Sequence, residues 1–149
     1  MDFATGRNGE KIMKTGFVAG SFDIIHPGYV YMFREAKQIC DHLVVGLHTD
    51  PSIERPEKIK PILIPEERRA ILSSIVYIDE IKMYDTEEEL LSLIININPD
   101  VRFLGDDYKN RLDYTGCGVI KDIHYFNRDH GWSTTKFKNL IYKQIKQGK

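Results

Sequence analysis

The sequence predicts an α/β fold: a single domain built on a five-stranded parallel sheet with helices on both faces. Strand-like segments near residues 16–20, 43–48, 80–84, 101–105 and 123–127 alternate with helical patterns, which is typical of repeated βαβ units. The second and fourth segments are nearly continuous apolar runs, as expected of strands covered on both faces. The 149 residues, 42% of them hydrophobic, are enough for one sizeable core, so we expect one domain.

The chain before the first strand differs in character from the rest. Residues 1–14 are polar, contain glycine and show no hydrophobic periodicity. They are predicted to be a flexible leader or tag, and the folded domain is predicted to span residues 15–149.

Helical patterns and one long loop separate the predicted strands. Pro27 suits the first turn of a helix after the first strand. Three prolines and mixed charges make segment 50–61 a long surface loop, after which Pro65 opens a second helix. A third, apolar helix covers residues 90–97, and a Lys-rich amphipathic helix covers residues 136–146.

Composition and charge exclude several classes of protein. Lys and Arg total 21 against 22 Asp and Glu, so no basic surplus points to nucleic acid or to an anionic membrane surface. Cys40 and Cys117 are too far apart in the sequence to indicate a disulfide framework, and His124 and His130 lack a His or Cys partner at metal-ligand spacing. No apolar run is long enough to cross a membrane or to act as a secretory signal. We therefore expect a cytoplasmic protein without a structural metal.

The junction after the first strand is predicted to bind a phosphate. Segment 20–29, Gly-Ser-Phe-Asp-Ile-Ile-His-Pro-Gly-Tyr, follows an apolar run and leads into the first helix. Free backbone N–H groups and the positive end of the helix dipole meet at such a junction, so an anion is stabilised there. His26 lies beside this position as a hydrogen-bond donor.

Polar side chains follow three of the predicted strands. His26, Asp106 and Arg128 each come after the carboxyl end of a strand. Open parallel sheets bind ligands outside these ends, where the strand order switches. We therefore expect the three side chains to converge on one crevice.

A family resemblance rests on this segment and on a second one near the other end. Residues 128–135 read Arg-Asp-His-Gly-Trp-Ser-Thr-Thr. The two segments resemble, in order, the signatures G-[ST]-F-D-x-x-H-x-G-H and R-T-E-G-I-S-T-T of the small cytidylyltransferases, most nearly the glycerol-3-phosphate cytidylyltransferases. Segments 65–69, 77–81 and 104–108 are also similar, so the resemblance runs from about residue 15 to 145, and five motifs in register are a specific signal.

The resemblance implies a Rossmann-like nucleotidyltransferase. Such an enzyme moves CMP from CTP to a small phosphorylated alcohol similar to glycerol 3-phosphate and releases pyrophosphate. Mg²⁺ arrives with the triphosphate, and family members are often homodimers, so a homodimer is expected. The attacking phosphate is already a nucleophile, so positioning and charge stabilisation do most of the work and no covalent intermediate is needed.

The resemblance also assigns roles to residues. His26 would donate to the α-phosphate, Arg128 would grip the β- and γ-phosphates, and the catalytic loop lysine would be Lys58 or Lys60, a choice that the sequence leaves open. The nucleotide-binding residues would be Gly20, Ser21, Phe22, Asp23, Gly28, Tyr29, Asp106, Ser133, Thr134 and Thr135. The acceptor-binding residues would be Arg68, Asp107, Tyr108 and Trp132.

Two positions depart from the family pattern. Tyr29 stands where the first signature has its second His, and a phenol keeps an O–H donor but cannot become cationic near neutral pH. Val76 stands where the glycerol-3-phosphate enzymes carry an Arg, so one phosphate clamp is missing.

Two other functions stay open at this point. One is an adenylyltransferase of the same superfamily that uses ATP with a sugar phosphate or a vitamin precursor. The other is a nucleotide-binding module without catalysis, which the polar groups lost at Tyr29 and Val76 would favour.

Overall fold

The centre of the protein is the five-stranded parallel sheet that the sequence predicts. The computed structural model describes residues 4, 5 and 11–148, with side chains for residues 13–148. The strands are β1 Thr15–Gly20, β2 His42–His48, β3 Glu80–Tyr84, β4 Val101–Gly105 and β5 Ile123–Phe126, and their spatial order is β3-β2-β1-β4-β5. All neighbours are parallel. The strand order therefore switches between β1 and β4, which places a crevice outside their carboxyl ends.

Helices cover both faces of this sheet, as predicted. They are α1 Pro27–Ile39, α2 Pro65–Ser73, α3 Glu87–Ile97 and α4 Thr134–Gln147. Phe33 of α1 and Leu72 of α2 belong to the apolar cluster on one face, whereas Leu90 and Ile94 of α3 belong to the cluster on the other. Among the described helices, none is long and apolar enough to cross a membrane.

The central strands have the apolar sequence that burial on both faces requires. β2 is buried from Leu43 to His48, and its residues alternate between the two clusters because successive strand side chains point to opposite faces. In β1, Phe17 belongs to the α3 side and Val18 to the α1 side. Packing of these residues in the core fixes the position of each strand. The carboxyl ends of the strands, and the loops that follow them, are thereby positioned as well.

Part of the predicted leader falls outside the described residues, namely 1–3 and 6–10. The rest includes a short antiparallel pair between Ala4–Thr5 and Lys11–Ile12. Lys14 already contacts the domain, because its N–H donates to an Asp41 carboxylate oxygen at 2.9 Å and its carbonyl accepts from the Asp41 N–H at 2.8 Å.

A buried histidine makes stability depend on pH. His48 is 3% exposed and stacks on Tyr84, and burial lowers its pKa, an effect that Glu87 and the Asp85 carbonyl partly offset. The unfolded chain therefore binds a proton more readily, with a pKa of about 6.5. The stability that depends on a neutral His48 is therefore fully present above that pH, and it decreases as the pH falls below it.

We expect the thermal midpoint to decrease when the pH is lowered from 7 to 5, and to decrease less in His48→Gln. Glutamine can still donate to the Asp85 carbonyl, which lies 3.2 Å from Nε2 in the wild type, but it binds no proton. Melting followed by circular dichroism across this range checks the expectation. Equal pH dependence in both proteins would contradict it.

Candidate active site

Buried contacts hold the turn after β1 in one position. Phe22 adopts a left-handed backbone conformation with φ 47°, which is uncommon for a residue other than glycine, and its ring packs 5.4 Å from that of Phe33. Asp23 is 6% exposed and accepts hydrogen bonds from the backbone N–H groups of Ile62 and Leu63 at 2.8 and 2.9 Å. The turn is thereby tied to the end of the long loop, and the start of α1 is fixed.

His26 lies just before α1 and is enclosed by aromatic rings. It is 5% exposed, its ring stacks on Tyr29 at 4.2 Å, and it faces Trp132 at 6.1 Å. Burial lowers the pKa of His26, and the charges of His130 and Arg128 lower it further, so the imidazole is neutral at pH 7. Its Nδ1 is buried and has no hydrogen-bond partner in the described part of the chain. A neutral imidazole whose Nδ1 lacks a protein partner therefore lies at this helix N-terminus.

The N-terminus of α4 lies against that of α1. The hydroxyl oxygens of Tyr29 and Thr134 are 3.0 Å apart and share a hydrogen bond. Ser133 caps α4 by accepting from the Lys136 N–H at 3.1 Å, and neither helix has an acidic residue in its first turn. Two positive helix ends therefore face the same space, which favours an anion with several charges.

These two helix ends open into a cleft of about 860 Å³ at the carboxyl ends of the strands. Arg128 and Lys58 are exposed side chains that line it, whereas Lys60 is exposed but does not line it. The structure thus brings Lys58, rather than Lys60, to the crevice. The other predicted site residues that line the cleft are Gly20, Ser21, Phe22, Gly28, Tyr29, Asp107, Tyr108, Trp132, Ser133, Thr134 and Thr135.

The site is suited to a polyphosphate, because backbone N–H groups, a neutral imidazole, a guanidinium and an ammonium surround one cleft. Comparison with known proteins agrees with this: the profile of the cytidylyltransferase-like family matches residues 17–140. The chain belongs to the cytidylyltransferase-like family.

Curated relatives of this cytidylyltransferase-like chain include the bifunctional protein HldE of Campylobacter concisus, which is 36% identical over 137 residues covering 91% of this chain and 28% of that protein. HldE of Caulobacter vibrioides is 38% identical, with 87% of this chain and 27% of that protein covered. The chain therefore spans a little over a quarter of the length of these relatives.

Among solved structures, the lipopolysaccharide core biosynthesis protein from Thermoplasma volcanium is similar, with a TM-score of 0.60 and 27% identity. The alignment covers 74% of this chain and 93% of that one. Pantothenate synthetase from Thermus thermophilus, at 14% identity and a TM-score of 0.56, shares the fold.

Arg68 does not occupy the acceptor-facing position that the family resemblance implies. It is 1% exposed, and its guanidinium donates to four backbone carbonyl groups. The distances are 3.0 Å to Leu63, 2.8 Å to Ser21 and 2.6 Å to His48, and the fourth carbonyl belongs to Thr49. Its donors are therefore used within the protein, and Arg68 joins the β1 turn, the end of β2 and the start of α2.

Asp23 and Asp106 also lie outside the cleft lining, although they follow the strands as predicted. Both carboxylate oxygens of Asp23 accept backbone N–H groups, and Lys138 of α4 is a further partner at 3.2 Å. Burial raises the pKa of Asp23, but these hydrogen bonds outweigh it and hold the pKa below its usual value. The carboxylate therefore serves to fix the turn. Asp106 begins a 3₁₀ turn whose next residue, Asp107, does line the cleft.

No group of three or more His, Cys, Asp or Glu side chains within the described residues is placed to hold a metal ion. Asp23, the acidic residue of the first signature, is already engaged by hydrogen bonds and Lys138.

Apart from Tyr108, the residues on one side of the cleft were not predicted from the sequence. Arg102 lies inside a strand that otherwise reads as apolar, and a charged residue in a buried strand was the signal that could have identified it. His48 and Tyr84 are the last residues of β2 and β3. Because open parallel sheets bind ligands outside the carboxyl ends of their strands, both residues could have been predicted to lie at the site. The additional lining residues on this side are His48, Pro51, Arg55, Tyr84, Glu87, Leu90, Arg102, Arg111, Asp113, Tyr114 and Thr115.

The close approach of the two signatures depends on Gly28. A Cβ there would lie 2.8 Å from Cε1 of His130 and 2.9 Å from both Cε1 of His26 and Cβ of Trp132. Gly28→Ala is expected to lower the free energy of unfolding by about 1–3 kcal/mol, because the loop before α4 must move away. Urea denaturation measures the change, and a variant as stable as the wild type would show that the two loops do not pack as described.

Proposed function

We propose that this protein is a nucleotidyltransferase that moves a nucleoside monophosphate from a nucleoside triphosphate to a phosphate of a small phosphorylated alcohol or sugar. The acceptor phosphate oxygen attacks the α-phosphorus, a new P–O bond forms, and pyrophosphate leaves with the electrons of the broken bond. The observation that carries the proposal is the meeting of two helix N-termini at His26, joined by the hydrogen bond between Tyr29 and Thr134.

The chain's own residues supply charge stabilisation at this point. His26 is neutral and fixed between two aromatic rings, so it can donate to an α-phosphate oxygen without being reoriented as charge develops. Arg128 and Lys58 line the same cleft and would bind the leaving pyrophosphate. Tyr29 holds α4 in place through its hydroxyl group, a role that needs no proton transfer and is compatible with its place in the first signature.

The donor base is proposed to be cytosine or adenine. The family profile is described as cytidylyltransferase-like, which supports CTP. The relatives named above are HldE proteins rather than glycerol-3-phosphate cytidylyltransferases. ATP therefore stays a candidate donor together with CTP. Mg²⁺ is proposed to enter as part of the triphosphate substrate, held by its phosphate oxygens.

The acceptor is proposed to be a sugar phosphate or a related polyol phosphate. The similar solved protein is named a lipopolysaccharide core biosynthesis protein, and the alignment covers 93% of that chain. Because a lipopolysaccharide contains sugars, this likeness supports a sugar-derived acceptor. Val76 is 83% exposed and lies where the glycerol-3-phosphate enzymes have an Arg, which favours an acceptor other than glycerol 3-phosphate.

A matrix of substrates tests the proposal. CTP, ATP, GTP and UTP are each combined with glycerol 3-phosphate, phosphocholine, phosphoethanolamine and a set of hexose and heptose 1-phosphates, and pyrophosphate release is measured with Mg²⁺ present. Release with one donor and one acceptor class is the expected result. Calorimetric binding of CTP or ATP without release for any combination would instead identify a nucleotide-binding module and overturn the proposal.

A further inference from the structure

The cleft continues past the nucleotide signatures to a second region on the α3 side of the sheet, which we call the arginine chamber. It contains Arg102 of β4 with Tyr84, Tyr108 and Tyr114, and all four residues line the cleft. Val101 and Phe103, on either side of Arg102, pack into the opposite apolar cluster. The alternation of the strand therefore directs Arg102 to the α3 face.

Arg102 is a buried cation without a carboxylate partner. It is 5% exposed, its Nη1 donates to the Thr115 carbonyl at 2.6 Å, and its guanidinium carbon lies 5.3 Å from the centre of the Tyr114 ring. Among the described residues, no Asp or Glu oxygen is within 4.0 Å of its nitrogens. A buried charge that lacks a counter-ion is costly to keep, and an arriving anion would remove that cost.

Two acidic groups that line this part of the cleft are already engaged. Glu87 accepts from Arg55 at 3.0 Å and from the Thr115 hydroxyl at 2.9 Å. Asp113 accepts from Arg111 at 2.9 Å. None of these carboxylates is within ion-pair distance of Arg102, so the chamber retains a positive centre.

The walls of the chamber suit a small polar molecule with a carbon skeleton. Tyr84 is 5% exposed, the rings of Tyr108 and Tyr114 meet edge to face at 5.5 Å, and Arg111 lies 4.6 Å above the Tyr108 ring. Aromatic rings offer flat surfaces to C–H groups, and their hydroxyl groups offer hydrogen bonds. This combination fits a phosphorylated sugar or polyol better than an apolar compound.

We propose that the arginine chamber is the acceptor site and that Arg102 binds the acceptor's phosphate group. The proposal rests on the nucleotidyltransferase function proposed above and adds the position and the chemical class of the second substrate. A phosphate held by Arg102 enters the same continuous cleft as the nucleotide phosphates near His26. Arg102 thereby places the nucleophile on the α3 side of the cleft, whereas the α-phosphate lies at the helix ends beside His26.

Kinetics of Arg102→Met and Arg102→Lys test this assignment, with Arg69→Met, an exposed residue of α2, as the control. The acceptor is whichever compound of the substrate matrix the wild type uses. The KM for the acceptor is expected to rise about 10- to 100-fold in Arg102→Met and less in Arg102→Lys, which keeps a charge but loses the fork. The KM for the nucleotide is expected to stay within about twofold, and the control is expected to change neither value.

Thermal stability gives a readout that does not need turnover. Arg102→Met is expected to melt at the wild-type temperature or higher, because an unpaired buried charge has been removed. Inorganic phosphate is expected to raise the melting temperature of the wild type and of Arg69→Met more than that of Arg102→Met, because Arg102→Met keeps only the anion site at the helix N-termini.

The outcomes separate this inference from the proposed function. An unchanged acceptor KM in a folded Arg102→Met, or equal phosphate stabilisation in all variants, overturns the inference while leaving nucleotidyl transfer intact. A joint rise of both KM values with a lower melting temperature assigns Arg102 a structural role and also overturns it. If the wild type transfers no nucleotide, the proposed function fails and the phosphate experiment alone decides whether Arg102 binds an anion. If Arg102→Met does not fold, the acceptor KM and the effect of phosphate on the melting temperature are measured with Arg102→Lys instead.

Discussion

Replacing His26 with alanine is expected to lower the turnover of nucleotidyl transfer by about 100- to 1,000-fold. A fixed donor directed at developing phosphoryl charge contributes about this much, because it needs no reorganisation in the transition state. His26 is fixed by its burial and by its stacking on Tyr29, and its lowered pKa keeps it a neutral donor. Pyrophosphate release at saturating donor and acceptor measures the effect on kcat, and nucleotide affinity is expected to change much less.

His42→Asn is the matched control for this experiment. His42 is a partly buried histidine at the opposite end of the sheet, where it pairs with Glu80 at 3.4 Å. We expect it to keep wild-type turnover within about twofold. A folded His26→Ala variant with more than a tenth of wild-type turnover would remove His26 from the catalytic groups.

The largest effect on stability is expected for Arg68→Ala. The change leaves the carbonyl groups of Leu63, Ser21, His48 and Thr49 without the donor that a side chain only 1% exposed supplies. Each buried acceptor that loses its partner costs about 1–3 kcal/mol, and partial relaxation brings the total to about 3–5 kcal/mol. Urea denaturation followed by circular dichroism measures this loss.

The neighbouring residue provides the control for Arg68. Arg69 is exposed on the same helix, so Arg69→Ala is expected to change the free energy of unfolding by no more than about 0.5 kcal/mol. Arg68→Lys keeps the charge but not the planar fork, and is expected to lose most of the stability that Arg68→Ala loses. A stable Arg68→Ala protein with a raised acceptor KM would restore the acceptor-binding role that the family resemblance implies.

The fold followed from local patterns in the sequence. β2 could be predicted because a run of apolar residues suits a strand buried on both faces, and α1 because Pro27 opens an apolar stripe of helical spacing. Once the strands are parallel, the loops after β1 and β5 must lie at one edge of the sheet. The meeting of His26 and Arg128 in one cleft therefore needed no knowledge of side-chain contacts.

The sequence by itself determined the α/β fold, the order of the elements and the two loops that form the nucleotide side of the cleft, because these depend on hydrophobic periodicity and on turn chemistry. Only the tertiary structure decided which groups the long polar side chains contact. Arg68 turned inward to backbone carbonyls, Lys58 rather than Lys60 lines the cleft, and Arg102 lies buried beside three tyrosines. A long side chain can reach any group within several ångströms, and its partners come from segments distant in sequence, so local pattern carries no information about which partner it will find.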